Sequence, residues 1–370
     1  MTVAPQSRRQ PERGKFVTGS ILRHILVMTG AGAIGLMAIF VGDLANIFFL
    51  SRAGDAAVVA AVGYASSLLF LSTSIGIGLS IAATALVAPA LGAGLRVRAR
   101  RLSAHAHVLS IAVSAALSIV LWLTIDPVLR LMGAEGHTRD LAGHYLAILL
   151  PTLPLLASGM TSSAVLRSVG DAQRAMHVTL LGAIVNTLLD LVFIVWLGWG
   201  ITGAAIASFI ARVAVMGVGL YGVWWVHGLM GRPKLATLTK DAVPFFNVGV
   251  PAVLTNIATP AGNAYVTAAI AAFGDSAVAG WAVIGRITPV AFGAIYALSG
   301  TVGPILGQNF GARVPERMHT TFRLSLLVMC GFTALAWLGL ALSAGYVADA
   351  FRAAGEGRDL IIYFCRVLSP

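Results

Sequence analysis

Charge is what this sequence has least of. Asp, Glu, Lys and Arg make up 11% of its 370 residues, against roughly 25% in a soluble domain. A globule facing water on all sides cannot be coated with so little. Cysteine is scarcer still: two residues cannot staple a disulfide scaffold. The 58% hydrophobic content excludes a disordered chain, and the short alternating segments of an outer-membrane barrel are missing. With a mean hydropathy of +0.88 and apolar runs of twenty residues or more, the composition points to an all-α polytopic membrane protein.

Apolar runs read against polar punctuation predict helices near 24–50, 56–91, 102–125, 140–165, 175–197, 202–228, 242–273, 277–308 and 319–347, with the start of a tenth from about 359. The leading polar stretch lacks a short apolar core with a small-residue cleavage site, so no signal peptide is expected. Arg8, Arg9, Arg13 and Lys15 read as an anchor. Seventeen of the 25 Lys and Arg fall in the N-terminal tail and every second loop, against five in the alternate loops. The positive-inside rule then predicts a cytoplasmic N-terminus. The net charge of +11 is read as this topology signal; a nucleic-acid partner would need a basic stripe on a soluble face, and none is expected.

The chain repeats itself. Gly54-Asp55-Ala-Ala-Val58 recurs as Gly274-Asp275-Ser-Ala-Val278, a shift of 220. Leu91-Gly-Ala-Gly94 pairs with Phe310-Gly-Ala-Arg313, and Gly133 to Leu141 pairs loosely with Arg352 to Leu360, both at 219. Six helices per copy is an even number, so both copies enter from the same side, as parallel repeats do. The expected fold is therefore two six-helix bundles related by a parallel repeat, the second truncated. Residues 1–20 are the cytoplasmic tail, 21–230 the N-lobe, 231–241 a linker and 242–370 a partial C-lobe. On the same shift Pro151 falls on Pro370, which predicts that the second copy is C-terminally incomplete.

Twelve of the 14 carboxylates, Asp171 and Asp241 among them, sit in the tail, loops or span ends, where solvation accounts for them. Asp43 and Asp190 do not. An Asp deep in a span costs about 2.5–3.5 kcal/mol and usually faces a bundle interior, where it handles ions or protons. Asp43 lies twenty residues past Arg23, and Asp190 sixteen past Arg174; at 1.5 Å per residue both reach a similar depth. Asn186 is one helical turn before Asp190 and shares its face. One pocket would then hold two carboxylates and an amide. Two neighbouring carboxylates in low dielectric cannot both stay ionised cheaply, which suits loading and release of a proton; an oxygen-rich pocket also suits Na⁺. The competing reading makes Asp43 and Asp190 helix–helix hydrogen-bonding residues. Asn256 and Asn263 in the seventh span are candidates for the substrate cleft, with packing as the alternative; Asn263 falls on Asp43 at the repeat shift of 220.

The remaining polar residues suggest no further chemistry. Arg212 and Arg286 are expected to snorkel or to find carbonyl partners. His105 and His107 follow a basic loop and are expected at the interface, with no metal-ligand spacing among the eight His. Cys330 and Cys365 read as packing. Gly76, Gly78 and Gly92 precede no Lys-Ser/Thr, so no phosphate loop and no cofactor are expected.

Three segments resemble the multidrug and toxic compound extrusion (MATE) family. The most specific runs from Leu166-Arg-Ser-Val-Gly-Asp171 through Asn186-Thr-Leu-Leu-Asp190 to Gly198-Trp-Gly-Ile-Thr-Gly-Ala-Ala-Ile-Ala207. Gly303-Pro-Ile-Leu-Gly-Gln-Asn-Phe-Gly-Ala312 is similar to the signature ending the eighth helix, and Val41-Gly-Asp43 to the first-helix acid. The resemblance implies twelve helices in two lobes and antiport of organic cations or amphipathic compounds against H⁺ or Na⁺. It implies a monomeric multi-pass protein of the bacterial inner membrane, and no enzyme. In the DinF-like branch the acids matching Asp43 and Asp190 and the amide matching Asn186 mark an N-lobe cation site, and Ser208 stands where that branch places a sixth-helix hydroxyl. Two departures matter: the interior of the seventh span has no carboxylate for the C-lobe ion site of the NorM-like branch, and Ala31 stands where many relatives carry a first-helix proline. The rival readings are a lipid-linked oligosaccharide flippase, which would want more Lys and Arg within spans, and a non-transporting remnant.

Overall fold

The computed structural model describes residues 14–53, 56–350 and 355–368, and nearly all of them are helical. A short 3₁₀ turn, Lys15–Val17, precedes α1 (Ile21–Ala53), α2 (Ala56–Gly92) and α3 (Arg96–Leu123). Next come α4 (Ile125–Leu131), α5 (Gly136–Leu149), α6 (Leu153–Val169), α7 (Ala172–Asp190) and α8 (Gly200–Tyr221). The second half holds α9 (Leu235–Ala271), α10 (Asp275–Ala291), α11 (Gly293–Gly311), α12 (Pro315–Ala350) and α13 (Gly355–Tyr363). Among the described residues eight helices are long and apolar enough to cross a membrane, or up to nine if each bent pair is one span. This is an all-helical polytopic membrane fold, as the composition predicts. Gly54-Asp55, Arg352 to Ala354, Pro370 and the tail arginines Arg8, Arg9 and Arg13 lie outside the described residues, as does the side chain of Arg286.

Two predicted spans are not single rods. The run near 140–165 is split by a 3₁₀ link, Leu150–Thr152, carrying Pro151 and followed by Pro154. Proline at 154 has no N–H for the Leu150 carbonyl, which accepts instead from the Leu153 N–H in the 3₁₀ turn and from the Ser118 hydroxyl at 2.7 Å. The run near 277–308 bends by 50° at Phe292, three residues after Pro289, the usual cause of a sharp kink.

Several polar residues at helix ends have tertiary roles that hydropathy does not show. Asp241, expected to be merely solvated, is 8% exposed and accepts hydrogen bonds from Arg101 at 3.0 and 3.2 Å. It also bonds His105 Nδ1 at 2.7 Å. His105 and His107 are therefore not interfacial: they are 1% and 3% exposed, and His107 bridges the Ser103 carbonyl and the Ser162 hydroxyl. A histidine near a basic loop looks interfacial until a partner helix covers it.

Asp171 likewise works in the fold. Gly170 closes α6 in the left-handed region at φ +90°, and Asp171 caps α7 by accepting from the Arg174 backbone N–H at 3.1 Å. The Arg174 guanidinium and His227 Nε2 also bond its Oδ2. Burial alone would push this carboxyl up, but the donors outweigh it and hold it below 3.8. A group depressed in the folded state stabilises fully above its unfolded value and loses that contribution as pH falls through the folded one. Asp171→Asn keeps a capping oxygen but loses the charge that Arg174 and His227 face, and should thus lower the thermal unfolding temperature at pH 7. The difference from the parent should shrink as the pH drops below 3.8. Thermal unfolding in detergent at the two pH values checks both.

At this basic end of the bundle the two halves of the chain are fastened together. Gln308, fully buried, accepts from the Phe16 N–H at 2.8 Å and donates to the Ser168 carbonyl at 2.6 Å. Arg317 donates to the carbonyls of Phe16, Thr18 and Gly19 and to Asn309 Oδ1. Lys15 Nζ reaches the Gly170 carbonyl at 2.8 Å. The part of the tail from Lys15 to Gly19 is a strap between the halves. Beneath it α2 and α11 touch backbone to backbone: a Cβ on Gly92 would overlap the Gln308 carbonyl, and one on Gly311 the Pro89 carbonyl.

Candidate functional site

The site is built where α1 crosses α7. Gly35 and Gly42, a heptad apart, let the two helices approach: a Cβ on Gly35 would overlap the Thr179 hydroxyl, and one on Gly42 would sit 3.4 Å from that of Thr187. One turn further along α1, Asn46 Nδ2 donates to Asp190 Oδ2 at 2.8 Å. Asn186 Nδ2 donates to the same oxygen at 2.8 Å, across the one turn that the sequence spacing predicts. Asp190 itself is 0% exposed. Its other oxygen, Oδ1, is buried with no hydrogen-bond partner among the described residues. A buried carboxylate oxygen left unpaired is costly, and a proton or a cation bound there would offset that cost. Directly after Asp190 the helix widens into a π turn, Leu191–Trp196, a feature frequent at functional sites.

Asp43 sits three residues before Asn46, on the same face of α1. It is exposed and lies within electrostatic reach of Asp190. From the opposite wall comes Tyr145 of α5, 5% exposed, whose hydroxyl meets Ser208 of α8. Arg212, Asp190 and Asp43 all lie within electrostatic reach of that ring. Arg212 has a carbonyl partner, as expected: it donates to the Leu149 carbonyl at 2.9 Å and to the Thr152 hydroxyl. The structure thus joins Asn186 and Asn46 to Asp190 by hydrogen bonds, with Asp43 within electrostatic reach; Ser208 is linked to this cluster only through Tyr145. It adds Asn46, Tyr145 and Arg212, which the sequence reading did not assign to the site. For Asn46 a signal existed, its i,i+3 spacing from Asp43.

Among the described residues no hydrogen bond links the side chain of Asn256 or Asn263 to this cluster. Asn256 is half-buried on α9 and donates to the Ala252 carbonyl of its own helix at 2.8 Å; Asn263 is exposed, two turns further on. Among the described residues no cluster of three His, Cys, Asp or Glu is arranged to hold a metal ion. Cys330 is exposed and Cys365 buried.

Comparison with known proteins gives the context for this chamber. A FAD transporter of Shewanella oneidensis is 28% identical over 363 residues, covering 96% of this chain and 80% of the relative. The multidrug export protein MepA of Staphylococcus saprophyticus is 20% identical over 303 residues, 80% of this chain and 66% of the relative. Against the MepA of Staphylococcus aureus NCTC 8325 the chain spans less than half the relative's length, 44%. Among solved structures, the Vibrio cholerae MATE transporter VcmN superposes with a TM-score of 0.89 at 24% identity, over 94% of this chain and 80% of that one. An outward-facing multidrug resistance MATE transporter of the MOP superfamily gives 0.89 at 23% identity, over 98% and 81%. These likenesses bear on the fold. The family model MatE matches residues 32–192 and 251–370, a span that contains Asp43, Asp190 and Asn186, and the chain belongs to that family of membrane transporters, with transport and not enzymatic chemistry as its business.

Proposed function

We propose that the chain forms the body of a secondary antiporter of the DinF-like branch, in which Asp43 and Asp190 bind the coupling cation. The observation that carries this reading is Asp190: fully buried, held on Oδ2 by two amides, orphaned on Oδ1, with a second carboxylate in electrostatic reach. A proton on Oδ1 would satisfy it. Na⁺ would need more oxygens, and the second Asp with the Asn46, Asn186 and Ser208 oxygens are the nearest supply. Asn186 and Asn46 orient the acid, and Ser208 with Tyr145 closes the opposite wall. The cargo, an organic cation or amphipathic compound, occupies the cleft between an N-lobe over 21–230 and a C-lobe from 242, joined by the linker 231–241; Asn256 and Asn263 are its weaker candidate contacts. The exposed Asp43 and the sealed basic end together support an outward-facing state in a monomer of the bacterial inner membrane, N-terminus in the cytoplasm.

The Shewanella relative favours a second cargo, a flavin dinucleotide, because the similarity runs through 96% of this chain. Vesicles loaded with either an amphipathic cation or FAD, under separately imposed pH and Na⁺ gradients, test cargo and ion together. One cargo should move under one gradient and collapse when that gradient is dissipated. Cargo that ignores both gradients would end the antiport reading.

A further inference from the structure

The interior of the first half carries a second polar feature that ion binding does not use. Along α3, Ser103, His107, Ser110, Ser114 and Ser118 recur at spacings of four, three, four and four residues, and so lie on one face. All five are buried. This face meets α2 and α6, and α6 answers with Ser158, Thr161 and Ser162, which are also buried. Only part of the array is paired within the protein: His107 with Ser162 at 2.9 Å, and Ser118 with the Leu150 carbonyl.

Four hydroxyls, those of Ser103, Ser110, Ser158 and Thr161, are buried with no partner among the described residues. Each is at most 1% exposed. Serine and threonine in helices commonly bond back to the carbonyl three or four residues earlier, as Ser72, Thr73 and Thr84 do in α2. These four do not. An unsatisfied buried hydroxyl costs roughly 1–3 kcal/mol, and four on facing helices would be an improbable expense in a dry contact. A cavity of about 10 Å³ lies in the same layer, lined by Ser72, Gly76, Ser114, Ala157 and Met160 among others. That is about the room one water molecule needs, and the Ser72 and Ser114 side chains line it among those of Leu117, Leu153, Leu156, Ala157 and Met160.

We propose that the α2–α3–α6 interface is a water-binding seam, in which ordered water bridges the hydroxyls of Ser110, Ser158 and Thr161 and occupies the cavity beside Ser114. The ligand is water because the groups offered are neutral hydroxyls, each donor and acceptor, with no carboxylate among them to hold a cation. The seam runs from Ser103 at the basic end to Ser118, which bonds the shelf of carbonyls next to the one that receives Arg212. It does not depend on the antiport reading.

Thr161→Val separates the wet interface from the dry one by sign. In a dry contact the change removes an unsatisfied group at constant shape and raises the unfolding temperature. In a hydrated one it strands the bridging water and lowers it, by about 2 °C or more. Radiolytic footprinting in H₂¹⁸O gives an independent readout. Met160 lines the cavity and is half-buried, whereas Met28 sits in an apolar cluster, 3% exposed. Thr161→Val should lower the ¹⁸O uptake of Met160 several-fold and leave that of Met28 unchanged. A raised unfolding temperature, or a Met160 rate that Thr161→Val does not lower, overturns the seam. Both readouts are made on the protein without gradient or cargo, so their failure is distinct from a failure of antiport.

Discussion

Asp190→Asn is expected to bring gradient-driven export down to the level of protein-free vesicles. The amide keeps the size of the carboxyl but not its charge, and it cannot take up and release a proton. Its oxygen can keep both amide donors now on Oδ2, which places its NH₂ where the unpartnered Oδ1 lies. Asp43 would be left without the second carboxylate in its electrostatic surroundings. Cargo binding in the absence of a gradient should persist, because the acid and its amide donors lie on α1 and α7 and the proposed cargo contacts on α9. Asn186→Ala and Asn46→Ala each remove a single hydrogen bond to a charged group, worth about 1.5–3 kcal/mol. That is a loss of roughly tenfold or more in coupling-cation affinity, with export surviving at saturating cation. Transport assays over a range of imposed gradients separate the two outcomes. Undiminished export by Asp190→Asn, in protein that remains monodisperse, would remove the acid from the coupling mechanism.

The proximity of Asp43, Asn186 and Asp190 was legible in the sequence because depth in a membrane is one-dimensional. Counting from Arg23 and Arg174 places Asp43 and Asp190 at similar levels, and the i,i+4 step places Asn186 on the face of Asp190. Which helices face one another is not one-dimensional. Tyr145 and Ser208 meet only because α5 packs on α8, and nothing in either segment's hydropathy points to the other. The same limit hid Asp241, whose partners Arg101 and His105 are 140 and 136 residues away. Hydropathy assigns a carboxylate at a span end to water by default. Helix existence was readable from apolar runs, but the 3₁₀ link at Leu150–Thr152 and the bend at Phe292 were not. Prolines announce that a break is tolerated; packing decides whether the helix takes it.

The contact between α2 and α11 gives the second large effect. Gly92 and Gly311 are each pressed against a backbone carbonyl of the other helix, and a backbone has no rotamer with which to yield. Neither glycine has a positive φ, so alanine is conformationally acceptable at both. In a helix it is favoured over glycine by about 0.8–1.0 kcal/mol. Any loss on Gly92→Ala or Gly311→Ala therefore comes from the contact alone. The methyl must push the helices apart and, with them, the hydrogen bonds of Gln308 to Phe16 and Ser168 that span the two halves. Packed interfaces respond by switching between discrete arrangements more readily than by stretching. Either alanine should thus shift the population towards a state open at the basic end, and slow export at least tenfold, which a bias of about 1.4 kcal/mol achieves. Spin labels introduced at Val97 and Phe310, both exposed, in a chain with Cys330 and Cys365 replaced, read the separation across the seam. The distance distribution should move outward in both variants, and further in Gly92→Val, whose larger side chain meets the same carbonyl. An unchanged distribution with native export would mean that this seam does not gate the transporter, and that the strap from Lys15 to Gly19 merely closes the end of the bundle.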